Sequence, residues 1–299
     1  MKNLALCLLG SAALASAACT IDVHGMDGQG VTVREQRRIP LTGSPNVTIR
    51  TFDGSIELRS WDREEILLDI ERRAETAVDA KVIEVETSEA GGNVVIEAKH
   101  PERRGFLLHM HRSPSVRMMV TVPRTLNLEA RTADGSIDAR DLSGRLELRT
   151  GDGSVRLQRI DGDITVSTGD GSVAAREVGG MVIVRTGDGS VDMSGQFAAL
   201  RAHTGDGSIA IDALAGSTMQ REWTISSGDG GVTIRLPPDF NAEVDARTGD
   251  GTISTSGEIA LARPVGDGRR RRVMRGQLGT GGEVLTLRTG DGSIRIVAR

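Results

Sequence analysis

One tetrapeptide governs what this chain can fold into. Gly-Asp-Gly-Ser and close variants recur through the 299 residues, and in the most regular stretch Asp134, Asp152, Asp170, Asp188 and Asp206 stand 18 residues apart (152 − 134, 170 − 152 and onward). A fixed period of this length means that one small structural unit is stacked on copies of itself. The unit continues more loosely at Asp229, Asp250 and Asp291, in steps of 23, 21 and 41. The last step reads as two coils, one of them unmarked. Upstream, Asp53-Gly54-Ser55 carries the motif 81 residues before Asp134, a gap with room for about four coils.

Within the unit each residue type has a mechanical reading. In Arg149-Thr150-Gly151-Asp152-Gly153-Ser154-Val155 the glycines supply the positive φ of a tight turn. The Asp accepts hydrogen bonds from the following backbone, and the β-branched residue starts a strand. Between turns apolar and polar residues alternate, as in Leu146-Glu147-Leu148 and Ile164-Thr165-Val166, the period of strands with one buried face. The expected fold is all-β, a parallel β-helix or β-solenoid with coils of about 18 residues. Val155, Val173, Val191 and Ile209 should form one interior ladder. A narrow aliphatic interior also accounts for 2% aromatic content and the absence of Tyr.

The N-terminal half is less regular. Strands are expected at Asn46–Thr51, Ser55–Ser60, Glu65–Ile70, Val82–Thr87, Asn93–Ala98 and Val116–Val122, with a hairpin at Gly91-Gly92, a helical turn at Ala77–Lys81 and a polar loop over Pro101–Pro114. This part reads as antiparallel pairing that merges into the solenoid. The division is then residues 1–18 as a leader, 19–45 as a linker with a first strand, and 46–299 as one solenoid domain.

Lys2, the apolar run Leu4–Leu14 and the small residues Ala15–Ala18 read as a signal peptide, the run being too short to span a bilayer. Ala15-Ser16-Ala17 fits a cleavage site, and Ser16-Ala17-Ala18-Cys19 resembles a bacterial lipobox in which Cys19 would carry lipid, although Ser16 stands where Leu is usual. Both routes lead to an exported protein: an envelope lipoprotein of the outer membrane, or a periplasmic or secreted one. Cys7 and Cys19 are the sole cysteines and Cys7 leaves with the leader, so no internal disulfide staples the mature chain.

A net charge of −4 with dispersed basic residues gives no nucleic-acid footprint, and the missing aromatics remove platforms for bases and sugar rings. No nucleotide-binding Gly-rich loop or nucleophile elbow appears, so neither catalytic residues nor a cofactor are assigned. The Asp ladder evokes calcium-binding β-rolls, yet one Asp per coil supplies few of the six or more oxygens calcium takes, so no metal site is assigned. Arg131, Arg149, Arg185 and Arg247, three residues before their Asp, are expected to lie alongside those carboxylates. His109 and His111, with His100, have the alternation of strand-borne metal ligands but lack a Cys or carboxylate framework. Arg269–Arg272 with Arg275 form a basic excursion, either a solvated loop or an anion-binding one.

Gly54–Asp62, Val120-Thr121-Val122-Pro123, the Thr-Gly-Asp-Gly-Ser repeats and the closing Arg288–Ile294 unit together resemble the bacterial DUF4097 domain, a family of candidate adhesins. The resemblance implies a β-solenoid in an envelope or surface protein, with no established enzymatic activity and no defined catalytic residues to carry over. The expected function is adhesion or scaffolding through a repetitive surface, toward an envelope, cell-surface or matrix component. The alternatives are a head-to-tail polymer of solenoids and a carbohydrate-active β-helix enzyme.

Overall fold

The computed structural model describes residues 20–25, 31–41, 43, 46–99, 114–257 and 272–298. Cys19, His100, His109, His111 and Arg269–Arg271 lie outside the described residues, as does nearly all of the stretch read as a polar loop. No helix among the described residues is long and apolar enough to cross a membrane.

The chain opens with β1 (Thr20–Gly25) and β2 (Val31–Pro40), then β3 (Asn46–Thr51), β4 (Ile56–Trp61) and β5 (Glu65–Ala74). Helix α1 (Ala77–Val82) is capped by Thr76, whose hydroxyl accepts the Asp79 N–H. Next come β6 (Glu84–Ala90), β7 (Asn93–Lys99) and β8 (Ser115–Pro123). The regular coils begin with β9 (Thr125–Thr132), β10 (Ile137–Arg140) and β11 (Ser143–Thr150). They continue in three strands of 14 residues, β12 (Val155–Thr168), β13 (Val173–Thr186) and β14 (Val191–Thr204). Shorter strands complete the chain: β15 (Ile209–Ala213), β16 (Trp223–Ser227), β17 (Val232–Leu236), β18 (Ala242–Thr248), β19 (Ile253–Ser256), β20 (Val273–Leu278), β21 (Val284–Thr289) and β22 (Ile294–Ala298).

Parallel pairing in an 18-residue register builds two walls. The first half of β12 pairs with β10 and its second half with β11, and β13 repeats both registers on β12. The interior ladder forms as the repeat requires. Ile137, Val155, Val173, Val191, Ile209 and Val232 are register partners in turn and all are buried. At a second corner the first positive-φ position is not a glycine, and Gly144, Gly162 and Gly180 follow it three residues on. Asp141, Arg159 and Glu177, also 18 apart, take positive φ of 60°, 53° and 54°. There Arg159 grips Asp141 through two hydrogen bonds of 2.5 and 2.9 Å, so alternating charge accompanies a conformation that L-residues rarely adopt. Where the coil lengthens to 23 residues, the wider interior is filled by Trp223, which meets Phe197 edge-on at 6.0 Å and Phe240 at 5.1 Å.

At both ends, sequence order and spatial order part. The Asp53 coil is not separated from the Asp134 coil by others: β3 pairs directly with β9 and β4 with β10. The intervening residues instead fold back, placing β7 and β8 on the far side of β3 and β4 and capping them with antiparallel β6 and β5. Among the described residues the 41-residue step likewise holds no unmarked coil. The final coil, β21 and β22, is inserted between β16/β17 and β18/β19, and antiparallel β20 covers β18. Motif spacing reports distance along the chain, and long returning segments break its link to stacking order.

Among the described residues three of the four terminal coil edges are thus covered, β7 by β6, β8 by β5 and β18 by β20. Hairpin β1–β2 extends the cap on β5, so the stretch 19–45 contributes two strands to it. Outermost β6 is exposed along most of its length and carries Glu84, Glu86 and Glu89, the kind of charged edge that discourages further strand pairing.

Candidate functional site

The turn that carries the repeat motif is closed by Thr, not by Asp. Thr168 Oγ1 donates to Gly153 O of the preceding coil at 2.9 Å and accepts the Gly171 N–H of its own turn at 3.2 Å. Thr150, Thr186 and Thr204 repeat both bonds, and Ser227, Thr289 and Thr248 carry them to the last coils. These hydroxyls are buried, so each one satisfies polar backbone that water cannot reach.

The turn glycines serve close packing rather than positive φ. Gly153 and Gly171 are absent from the positive-φ residues, but a Cβ on either would overlap the carbonyl oxygen of the equivalent glycine one coil earlier. The main chain is correspondingly tight, with Gly169 N donating to Gly151 O and Gly187 N to Gly169 O, both at 2.5 Å.

That leaves the aspartates outside. Asp134, Asp152, Asp170, Asp188, Asp206, Asp229, Asp291 and Asp250 follow one another in space along an exposed corner. The arginines three residues upstream do not neutralise them. Arg131 and Arg149 pair with Glu129 and Glu147, and Arg247 with Asp245, carboxylates two positions earlier on the same outward wall. An arginine two residues away on a strand shares its face, whereas the turn points elsewhere. One turn carboxylate does have a cation: Arg272, last of the arginine run, reaches Asp250 at 2.9 Å. No group of three or more His, Cys, Asp or Glu able to hold a metal occurs among the described residues.

A buried polar cluster that the sequence did not announce lies under the N-terminal cap. Arg72, 7% exposed, donates to Ile83 O at 3.0 Å and pairs with Glu35 at 2.8 Å, while Arg37 contacts the same carboxylate and donates to Val85 O at 2.6 Å. Burial pushes Glu35 upward, but the two guanidiniums outweigh it and hold the carboxyl below the ordinary glutamate range. This cluster ties β2 and β5 to the start of β6, a structural task. Above β2, β5 and β8 lies a concavity of about 480 Å³, lined by Arg34, Gln36, Asp69, Glu71, Arg117 and Met119. Its polar groups already engage one another, with Gln36 on Asp69 at 2.6 Å and Arg34 on Glu71 at 3.4 Å.

No protein of curated function matches the sequence. Among solved structures, a candidate cell adhesion protein of Clostridium sporogenes is 13% identical over 89% of this chain and 99% of its own, with a TM-score of 0.29. A candidate adhesin of Bacteroides fragilis is 6% identical over 89% and 97%, with a TM-score of 0.37. A candidate lipid binding protein of Parabacteroides distasonis is 13% identical over 90% and 97%, with a TM-score of 0.35. The family model named Toastrack DUF4097 matches residues 45–297, which takes in every coil of the solenoid. The chain belongs to the DUF4097 (Toastrack) family.

Proposed function

We propose that this protein is an exported, non-enzymatic component of the bacterial envelope or surface that works as an adhesin or scaffold, presenting its stacked outer walls to another envelope, cell-surface or matrix component. The observation that carries this reading is the regularity of those walls. The turn aspartates recur along one exposed corner of the stack, and wall carboxylates such as Glu129, Glu147 and Asp245 are engaged by an arginine two positions on. A hydrolytic pair would break such a pattern at one place. The covered coil edges give head-to-tail polymerisation little bare backbone to use, which favours surface contact over stacking.

Export rests on the leader-like first 18 residues, and Cys19 is the proposed lipid attachment point if the lipobox route is taken. The reading is tested by incubating the purified mature chain with bacterial cells, isolated envelopes and matrix preparations. Saturable retention on at least one surface is expected. A chain retained by none of them overturns the proposal.

A further inference from the structure

Repeats make their own exceptions visible. On the wall built by β3, β9, β11, β16, β21, β18 and the second halves of β12, β13 and β14, three outward arginines pair with an acid two positions earlier, Arg131 with Glu129, Arg149 with Glu147 and Arg247 with Asp245, while Arg50 and Arg145 reach Glu129 and Asp163 on an adjacent strand. In the middle coils the acid is gone. Ile183 precedes Arg185 and Arg201 precedes His203, and the neighbouring coil offers only Thr165 and Ser167 at those positions.

The register brings these residues together. Ile183 is the cross-strand partner of Arg201 and Arg185 that of His203, so three exposed basic side chains sit on adjacent strands about 4.8 Å apart. Arg185 and Arg201 have no carboxylate within ion-pair distance among the described residues. His203 bonds Ser226 Oγ at 2.9 Å. Acids mark the border of the patch: Asp163 on one side, Asp188 and Asp206 at the turns, and Glu222, which accepts from Thr286 and Thr224, beyond Arg201. Half-buried Ile183 lies at its centre and half-buried Met181 at its edge beside Asp163, with Ser and Thr hydroxyls around them.

We infer that this patch binds an acidic polysaccharide, a deepening that rests on the surface-contact reading above. The two uncompensated arginines meet the carboxylates of the polymer, the hydroxyl side chains meet sugar hydroxyls, and Ile183 and Met181 meet the carbon face of a sugar ring. A nucleic acid fits less well, because no aromatic side chain on these strands offers a base a stacking surface.

The test uses immobilised polygalacturonate as the probe, dextran as the neutral polymer and a single-stranded oligonucleotide as the rival polyanion. Three forms of the mature chain are compared: wild type, R185E/R201E, and R131E/R149E, whose arginines already have acidic partners. Wild type is expected to bind polygalacturonate in preference to the other two polymers and less tightly at high salt. R185E/R201E should lose about tenfold or more in affinity while R131E/R149E changes much less. Circular dichroism confirms that each variant is folded. Failure of wild type to bind, equal losses in both variants, or tighter binding to the oligonucleotide each overturns the inference. Wild type that is retained by cells yet ignores polygalacturonate sinks the inference alone, whereas retention by no surface at all sinks the broader reading with it.

Discussion

Replacing Thr168 by Val keeps the side chain's shape and removes its hydroxyl, at a residue that is 7% exposed. Three hydrogen bonds vanish: the donation to Gly153 O at 2.9 Å with its longer branch to Gly151 O at 3.3 Å, and the acceptance from Gly171 N at 3.2 Å. The net value of one such bond is about 1 kcal/mol, and a buried donor or acceptor left without a partner costs about 1–3 kcal/mol. Some relaxation of the turn offsets this, so a loss of about 2–4 kcal/mol is expected for T168V. The control is T165V on the same strand, where the side chain faces outward and the change should stay within about 0.5 kcal/mol. Urea unfolding followed by circular dichroism gives both values from the midpoint and slope. If T168V lies within error of T165V, the claim that Thr hydroxyls staple one coil to the next is wrong.

Other perturbations separate the remaining contributions. Gly171→Ala should cost about 1–3 kcal/mol through collision with Gly153 O, measured in the same urea titration; a neutral result would mean that the coils are less tightly apposed. Asp170 lies between Asp152 and Asp188 on the exposed corner, and like charges about 4.8 Å apart repel by about 1 kcal/mol in water before screening. Asp170→Asn is therefore expected to raise the melting temperature at low salt, with the gain shrinking as salt is added. A loss that salt does not alter would show the carboxylate to be structural. Because Glu35 is held below its ordinary value, its contribution is fully present above the ordinary glutamate pKa and disappears as pH falls through the folded one. E35Q should accordingly be clearly less stable than wild type at pH 7, with the gap narrowing toward pH 3; a gap that widens in acid would contradict the assignment.

The features legible in the sequence are those that depend on local spacing. Val155, Val173, Val191 and Ile209 could be placed in one ladder because an 18-residue coil returns each to the same interior position. Strands such as Asn46–Thr51 and the Gly91-Gly92 hairpin were legible from alternation and turn chemistry, and both glycines take positive φ. Roles within the turn were harder to read. Asp and Gly dominate the motif visually, yet the buried hydrogen-bonding residue is the Thr before them, and the glycines are required by the approach of the next coil. The corner at Asp141, Arg159 and Glu177 left no recognisable signal, because Arg and Glu seldom adopt positive φ. Stacking order at the ends was out of reach, since parallel register allows any coil with the same apolar pattern to be the neighbour. The basic patch was hidden for a related reason: an absent acid two residues before Arg185 gains meaning only when the other coils are aligned beside it.

Cross-linking at the C-terminal end tests the architecture most directly. In a background of C7A/C19A, cysteines are introduced in pairs at outward positions of one row: Ser226 with Arg288, Arg288 with Arg247, and Ser226 with Arg247. The first two pairs are register partners, whose Cα atoms at about 4.8 Å fall within disulfide range, whereas the third spans two coil rises, about 9.6 Å, beyond it. Rapid intramolecular disulfide formation in S226C/R288C and R288C/R247C, with little in S226C/R247C, is the predicted outcome. Efficient bridging of S226C/R247C with none in S226C/R288C would mean that coils stack in sequence order, contradicting the inserted final coil.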